Sequence, residues 1–128
     1  LRTISTPYKR LKVLSSYRKK VIRHYKTDPF LKQFFSYLSP ISLPGHFPAI
    51  RDIRVSGSRV YAVTYRMDEK GNSEVYIFNT DGRLHKKAFL PIDEMNVRLF
   101  YPYDIQQEKL YQLIEDEDEN YILKISPI

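Results

Sequence analysis

Arg18, Lys19, Lys20, Arg23 and Lys26 crowd into the stretch "YRKKVIRHYK", residues 17 to 26. On a helix, Lys19, Arg23 and Lys26 line one face, with Arg18 and Lys20 flanking it. Tyr17, Val21 and Tyr25 fall at i, i+4 and i+8 on another face, which leaves two aromatic rings available to stack. Ammonium and guanidinium groups gathered in this way neutralise phosphates, so the chemistry they offer is polyanion or nucleic-acid binding. The bland alternative is a solvated helix face lying over a sheet. No helix-turn-helix, RNP or zinc-finger signature accompanies the cations, so nucleic acid stands as the alternative reading.

The remaining reactive residue types form weaker patterns. In "DEDEN" (116–120), Asp116, Asp118 and Asn120 imitate the start of a calcium loop. The next position is Tyr121 instead of Gly, and the twelfth is Pro127 instead of Glu, so a solvated hairpin turn is the better reading. His24, His46 and His85 are too scattered for an H-x-x-x-H metal pair. Ser56-Gly57-Ser58 is not a nucleophile elbow and has no triad partner signalled nearby. Glycines 45, 57, 71 and 82 each fall in a turn or connector and build no phosphate-cradling loop. The eleven tyrosines are expected to pack between layers with their hydroxyls at the rim. The residues therefore predict no catalytic group, no metal and no cofactor.

Composition sets the frame for these side chains. The 128 residues suit one domain with a real core, and 42% hydrophobic with 14% aromatic residues is a globular composition. The absence of Cys excludes disulfides and thiolate metal sites. No apolar run approaches the roughly 20 residues of a membrane helix, which predicts no membrane insertion. The opening "LRTISTPYKR" has neither an initiator Met nor an apolar signal core, as expected of a processed or excised piece. The net charge of +6 is uneven: residues 1–48 hold ten Lys/Arg against the single acid Asp28, and residues 49–128 hold eleven against fourteen. That asymmetry fits a basic helix meeting an acidic partner, or simply a charged face in water.

The elements that must position these groups are legible from periodicity. A strand is expected at Arg2–Ser5, then extended chain toward Val13, then a helix over 17–26 capped by Ser15 or Ser16. Asp28 and Pro29 open a second helix whose Phe30, Leu31, Phe34, Phe35 and Leu38 should bury against a sheet. The proline-rich run 40–50 is an extended connector. Strands then follow at Ile50–Ser56, Arg59–Met67, Ser73–Asn79 and Leu84–Leu90, with turns at "SGS", "DEKGN" and "TDG". This predicts a four-stranded antiparallel meander, with three strands more over residues 103–128. "DIRVSGSRVYAV" (52–63) aligns with "DIQQEKLYQL" (104–113), and "SEVYIFN" (73–79) with "ENYILKI" (119–125), a spacing that suits propeller blades. In "VYAVTY" and "VYIF" both alternating residue sets are largely apolar, as a sheet covered on both faces requires.

"TPYKRLKV", "YKTDPFLKQFF", "FPAIRDIRVSGSRVYAVTY", "VYIFNTDGRLHKKAFLP" and the closing "YPYDIQQEKLYQLIEDEDENYILKISPI" resemble the C-terminal part of bacterial six-bladed β-propeller proteins of the NHL/TolB-like kind. The resemblance spans nearly the whole chain and rests on structural motifs, which specify fold far better than function. It implies a strand end and basic helical insertion over 1–48, a complete four-stranded blade over 49–92, a connector over 93–102 and a partial final blade over 103–128. It further implies a non-catalytic scaffold that associates with itself or with another protein. Part of an enzyme completed by other blades or another chain is a further alternative. Propellers of this group are often exported, which makes a periplasmic or secreted location the expectation. Fewer than two blades cannot close a ring, so an isolated chain should either oligomerise or cover its sheet with its helices.

Overall fold

The computed structural model describes residues 3–37 and 43–128. Among the described residues, seven strands form two antiparallel sheets. The first, in the order β1 (Asp52–Ser56), β2 (Arg59–Met67), β3 (Ser73–Asn79) and β4 (Leu84–Leu90), is the expected four-stranded meander. The second runs β5 (Tyr103–Gln106), β6 (Lys109–Glu115) and β7 (Tyr121–Pro127). Turn chemistry sets the registers. Gly57, at φ 56°, lets Ser56 face Arg59 across a tight β1–β2 turn, and Gln107 and Glu108, both at positive φ, do the same between Gln106 and Lys109. The meander starts at Asp52, two residues later than the period suggests, because the chain is still turning into the sheet after Pro48.

The core lies between the sheets. Tyr61, Val63, Val75, Ile77 and Leu90 of the first sheet pack with Tyr103, Ile105 and Leu110 of the second, and Ile92 of the connector joins them. Val63, Val75 and Ile105 are fully buried, and each such side chain contributes about 1.5–3 kcal/mol. β3 is buried at every position from Ser73 to Phe78, so its two alternating sets are both covered. The second set, Ala62, Tyr76 and Phe78, forms a smaller cluster with Tyr8 and Val60 on the opposite face.

The N-terminal third departs from expectation in several places. Thr3–Ser5 forms no strand and belongs to neither sheet, and Arg2 lies outside the described residues. The segment rests against a sheet face, where Ile4, Ser5 and Thr6 find apolar cover but no strand edge to pair with. The helix α1 spans Ser15–Thr27, with Leu14 as its N-cap and no side-chain cap bond. Ser15 and Ser16 therefore lie inside the helix, whose exposed first turn leaves its donors to water. Asp28 does cap the next element, accepting the N–H groups of Phe30 and Leu31 at 2.9 Å each. That element is a 3₁₀ helix, Leu31–Tyr37, and not an α-helix. Its aromatic run loses rotamer freedom in an α-helix, which lowers the propensity to continue one. Phe30 and Phe34 are 66% and 44% exposed, stacked edge-on with each other instead of buried on a sheet. Leu38 lies outside the described residues.

Helix α1 does not cover a sheet. Its tyrosine face meets connectors: Tyr17 stands edge-on to Phe47, which stacks on Tyr65, and Arg98 sits over Tyr25. Among the described residues no helix is long and apolar enough to cross a membrane.

Gln112 fixes the connector to the second sheet. It is 1% exposed, its Oε1 accepts the Asp93 N–H at 2.8 Å, and its Nε2 donates to the carbonyls of Asp93 and Tyr101. Gln112→Leu keeps the volume but orphans these partners, each at about 1–3 kcal/mol where water cannot reach. Denaturant unfolding of Gln112→Leu should show a lowered midpoint with an unchanged slope, and an unshifted midpoint would refute the assignment.

Candidate functional site

The structure divides the five candidate cations between two kinds of work. Arg18 donates to the carbonyls of Leu43 and Pro44 at 3.2 and 3.3 Å, and Lys26 lies over the Phe35 ring at 5.3 Å. Those two hold the helix to its surroundings. Lys19, Lys20 and Arg23 are exposed, and Lys20 and Arg23 border a shallow depression shared with His24, Glu94 and Asn96. The tyrosines expected to stack on bases are already engaged. Tyr17 packs on Phe47 and donates toward the Val97 carbonyl at 3.4 Å, and burial pushes its hydroxyl pKa up. Tyr25 carries Arg98.

The other candidate groups do not converge. Among the described residues no set of three or more His, Cys, Asp or Glu is placed to hold a metal. Ser56 meets Gln106, and His24 stands edge-on to Tyr25. "DEDEN" is a self-contained loop in which Asp116 Oδ1 accepts the N–H groups of Asp118 and Asn120. Its twin is "DEKGN", where Asp68 Oδ1 accepts those of Lys70 and Asn72. In both, the side-chain amide of the closing Asn also donates to the Asp, and the residue before that Asn has positive φ: Gly71 in one, Glu119 in the other.

These twin loops reveal an equivalence between the sheets that the strand pattern alone misplaces. Stepping from the matched tight turns, Tyr61 pairs with Ile77 and Val63 with Val75 in the first sheet. In the second, Tyr111 pairs with Ile125 and Leu113 with Leu123. Val75 thus corresponds to Leu123, a shift of two residues from the sequence alignment, which set Val75 against Tyr121. The two residues are absorbed by a bulge between Val63 and Met67. Asp68-x-x-x-Asn72 and Asp116-x-x-x-Asn120 were the sequence signal that would have fixed this register.

The arrangement leaves two open apolar faces as the main candidate surface. Beyond Tyr76 and Phe78 lies a groove of about 500 Å³, bordered by Ile4, Thr6, Tyr8, Ile53 and Val60. The hydroxyl of Tyr8 is buried there without a partner among the described residues, and Thr64 and Glu74 form a buried 3.0 Å hydrogen bond at one end. On the outer side of the second sheet, Leu113, Leu123, Ile125 and Tyr121 are 43%, 59%, 56% and 72% exposed. Both faces leave apolar side chains exposed to solvent.

Between the sheets, the first strands meet through polar groups. Tyr103 donates to Asp52 Oδ2 at 2.7 Å, Arg54 pairs with the same carboxylate at 3.1 Å, and the Arg54 guanidinium lies 4.6 Å over the Tyr103 ring. Burial first, and the Asp52 acceptor second, hold the Tyr103 hydroxyl well above the ordinary tyrosine range. The junction stays protonated and neutral at the phenol, which suits a structural link and not a proton-transfer site.

The twin loops carry a pH dependence. Hydrogen bonds from Asn72 to Asp68, and from Asn120 to Asp116, lower both carboxyl pKa values below the ordinary 3.8. A carboxylate depressed on folding stabilises the native state above its unfolded pKa and loses that contribution as pH falls through the folded one. Acid titration below pH 3.8 should therefore shift the Asn72 and Asn120 amide resonances together. Asp68→Asn and Asp116→Asn should each abolish the shift in their own loop, and persistence of the shift in those variants would sink the account. No protein-family model, curated protein or solved structure matches this chain.

Proposed function

We propose that this chain is a non-catalytic scaffold of the β-propeller type, in which β1–β4 is one blade, β5–β7 is three strands of the next, and residues 1–48 form an insertion ahead of them. Its work is to pack against other protein through the two open apolar faces. One observation carries this reading: both faces of the β2–β3 pair are apolar, and the second sheet covers only one of them. A sheet with one wet face would alternate apolar and polar residues. The position-by-position match of the two sheets supports the repeat, and a repeat that stacks on its neighbours buries both faces. The helix fits a supporting role, since Arg18, Lys26, Tyr17 and Tyr25 are spent on contacts within the chain.

A photo-reactive phenylalanine placed at Leu123 or Ile50 should cross-link to protein in the cells that express this chain. The same group at the exposed position Lys86 should not. Equal labelling from all three positions, or none from the first two, would count against the scaffold reading. The polyanion alternative has its own arm. Charge reversal at Lys19, Lys20 and Arg23 should leave the cross-links unchanged, and salt-sensitive binding of nucleic acid that vanishes in this variant would establish the alternative instead.

A further inference from the structure

We propose that a second copy of this chain covers the open faces, docking head to tail and completing the three-stranded sheet with its own residues 3–6. The proposal rests on the stacked-sheet reading above and follows from continuing the interface already present within one copy. In that interface, Tyr61, Val63, Val75 and Ile77 of the first sheet form one side. Their counterparts in the second sheet are Tyr111, Leu113, Leu123 and Ile125, and these point outward. The other side of the interface is built by Leu110 with Tyr103 and Ile105. The counterpart of Leu110 in the first sheet is Val60, which lines the open groove beside Ala62 and Tyr76. Each chain therefore exposes both halves of a contact it already makes internally. Such a contact is heterologous, and its repetition builds a ring or an open filament.

The missing fourth strand supports the same partner. In the first sheet β4 pairs with β3 and ends at Leu90-Pro91, and Ala88, Leu90 and Ile92 pack across the interface. β7, the counterpart of β3, has no strand on its far edge among the described residues. An exposed edge of this kind is a template for strand addition. Residues 3–6 belong to no helix or strand, run up to Pro7, and make no backbone hydrogen bond to a strand among the described residues. Ile4, Thr6 and Tyr8 lie on the open groove at the spacing with which Ala88, Leu90 and Ile92 lie on the internal interface. The segment lies against the groove where a fourth strand would lie, and no sheet among the described residues pairs with it. β7 of a second copy supplies one. Val75 faces Ala88 within the first sheet, so Leu123 of one copy should face Ile4 of the next.

This chain has no cysteine, so introduced thiols report without background. Sedimentation of the unmodified chain should show mass rising with concentration, and Leu123→Asp, on an exposed site, should return it to the monomer. Mixing chains that carry only Ile4→Cys with chains that carry only Leu123→Cys should give the mixed disulfide under mild oxidation, with little of either symmetric one. A monomer at every concentration, an unchanged mass in Leu123→Asp, or symmetric disulfides in place of the mixed one would each overturn the proposal. Hydrogen exchange at Val75 and Leu110 separates this failure from that of the scaffold reading. Protected amides in a monomer refute only the copy-to-copy contact, and unprotected amides refute the internal stacking and with it both proposals.

Discussion

One constraint underlies the packing of this chain: β2 and β3 are apolar on both sides, so each face of their sheet left in water costs stability. One face is settled within the chain by β5–β7 and Ile92, which bury Val63 and Val75 completely. Among the described residues the other receives a thin cover from residues 4–8 and from Ala49 and Ile50 at its border. An interior sheet of this kind is stable when both neighbours are present, because hydrophobic stabilisation scales with the apolar area removed from water. The incomplete cover therefore leaves apolar area in water on the face opposite the covered one.

Register is the second condition, since a one-residue slip in a strand would exchange the two faces wholesale. Here turns hold it. The Asp68 and Asp116 loops each tie their own hairpin through several hydrogen bonds to one carboxylate, and tight turns at Gly57 and at Gln107-Glu108 tie the hairpins before them. Three non-glycine residues in the turns of the second sheet, Gln107, Glu108 and Glu119, are at positive φ, and Glu119 repeats the loop geometry of Gly71 at some backbone cost. A cost accepted in order to repeat a geometry is what a stacked architecture would require, since each sheet must present its faces to the next in the same way.

Three strands of the meander were legible to the residue, because "SGS", "DEKGN" and "TDG" bracket apolar runs of the right length. The double-faced pattern of "VYAVTY" and "VYIF" was legible too, and it is the feature on which the functional reading stands. The alignment of the two sheets was legible only to within two residues. Strand periodicity repeats every second position, so an even slip preserves the pattern and only the loop motifs break the tie. The helical third was read least well. Phe30 and Phe34 have helical spacing, but spacing cannot say whether a sheet face is within reach, and here none is. The open junction of Asp52, Arg54 and Tyr103 joins residues about fifty apart in sequence and left no local trace.

The cations illustrate why charge counts alone mislead about function. Arg51 contributes to the basic total, yet its side chain is 7% exposed, paired with Glu94 at 2.6 Å and stacked 3.8 Å over Phe100. Arg54 lies over Tyr103 and Lys87 over Tyr76. In each case the long side chain seals the edge of an aromatic surface while its charge finds a carboxylate, a ring face or water. These three cations are accounted for by packing before any polyanion is invoked. Of the exposed cations of the helix, Lys26 lies over Phe35, and Lys19, Lys20 and Arg23 stand outside this role, a modest basis for recognition beside two open apolar faces.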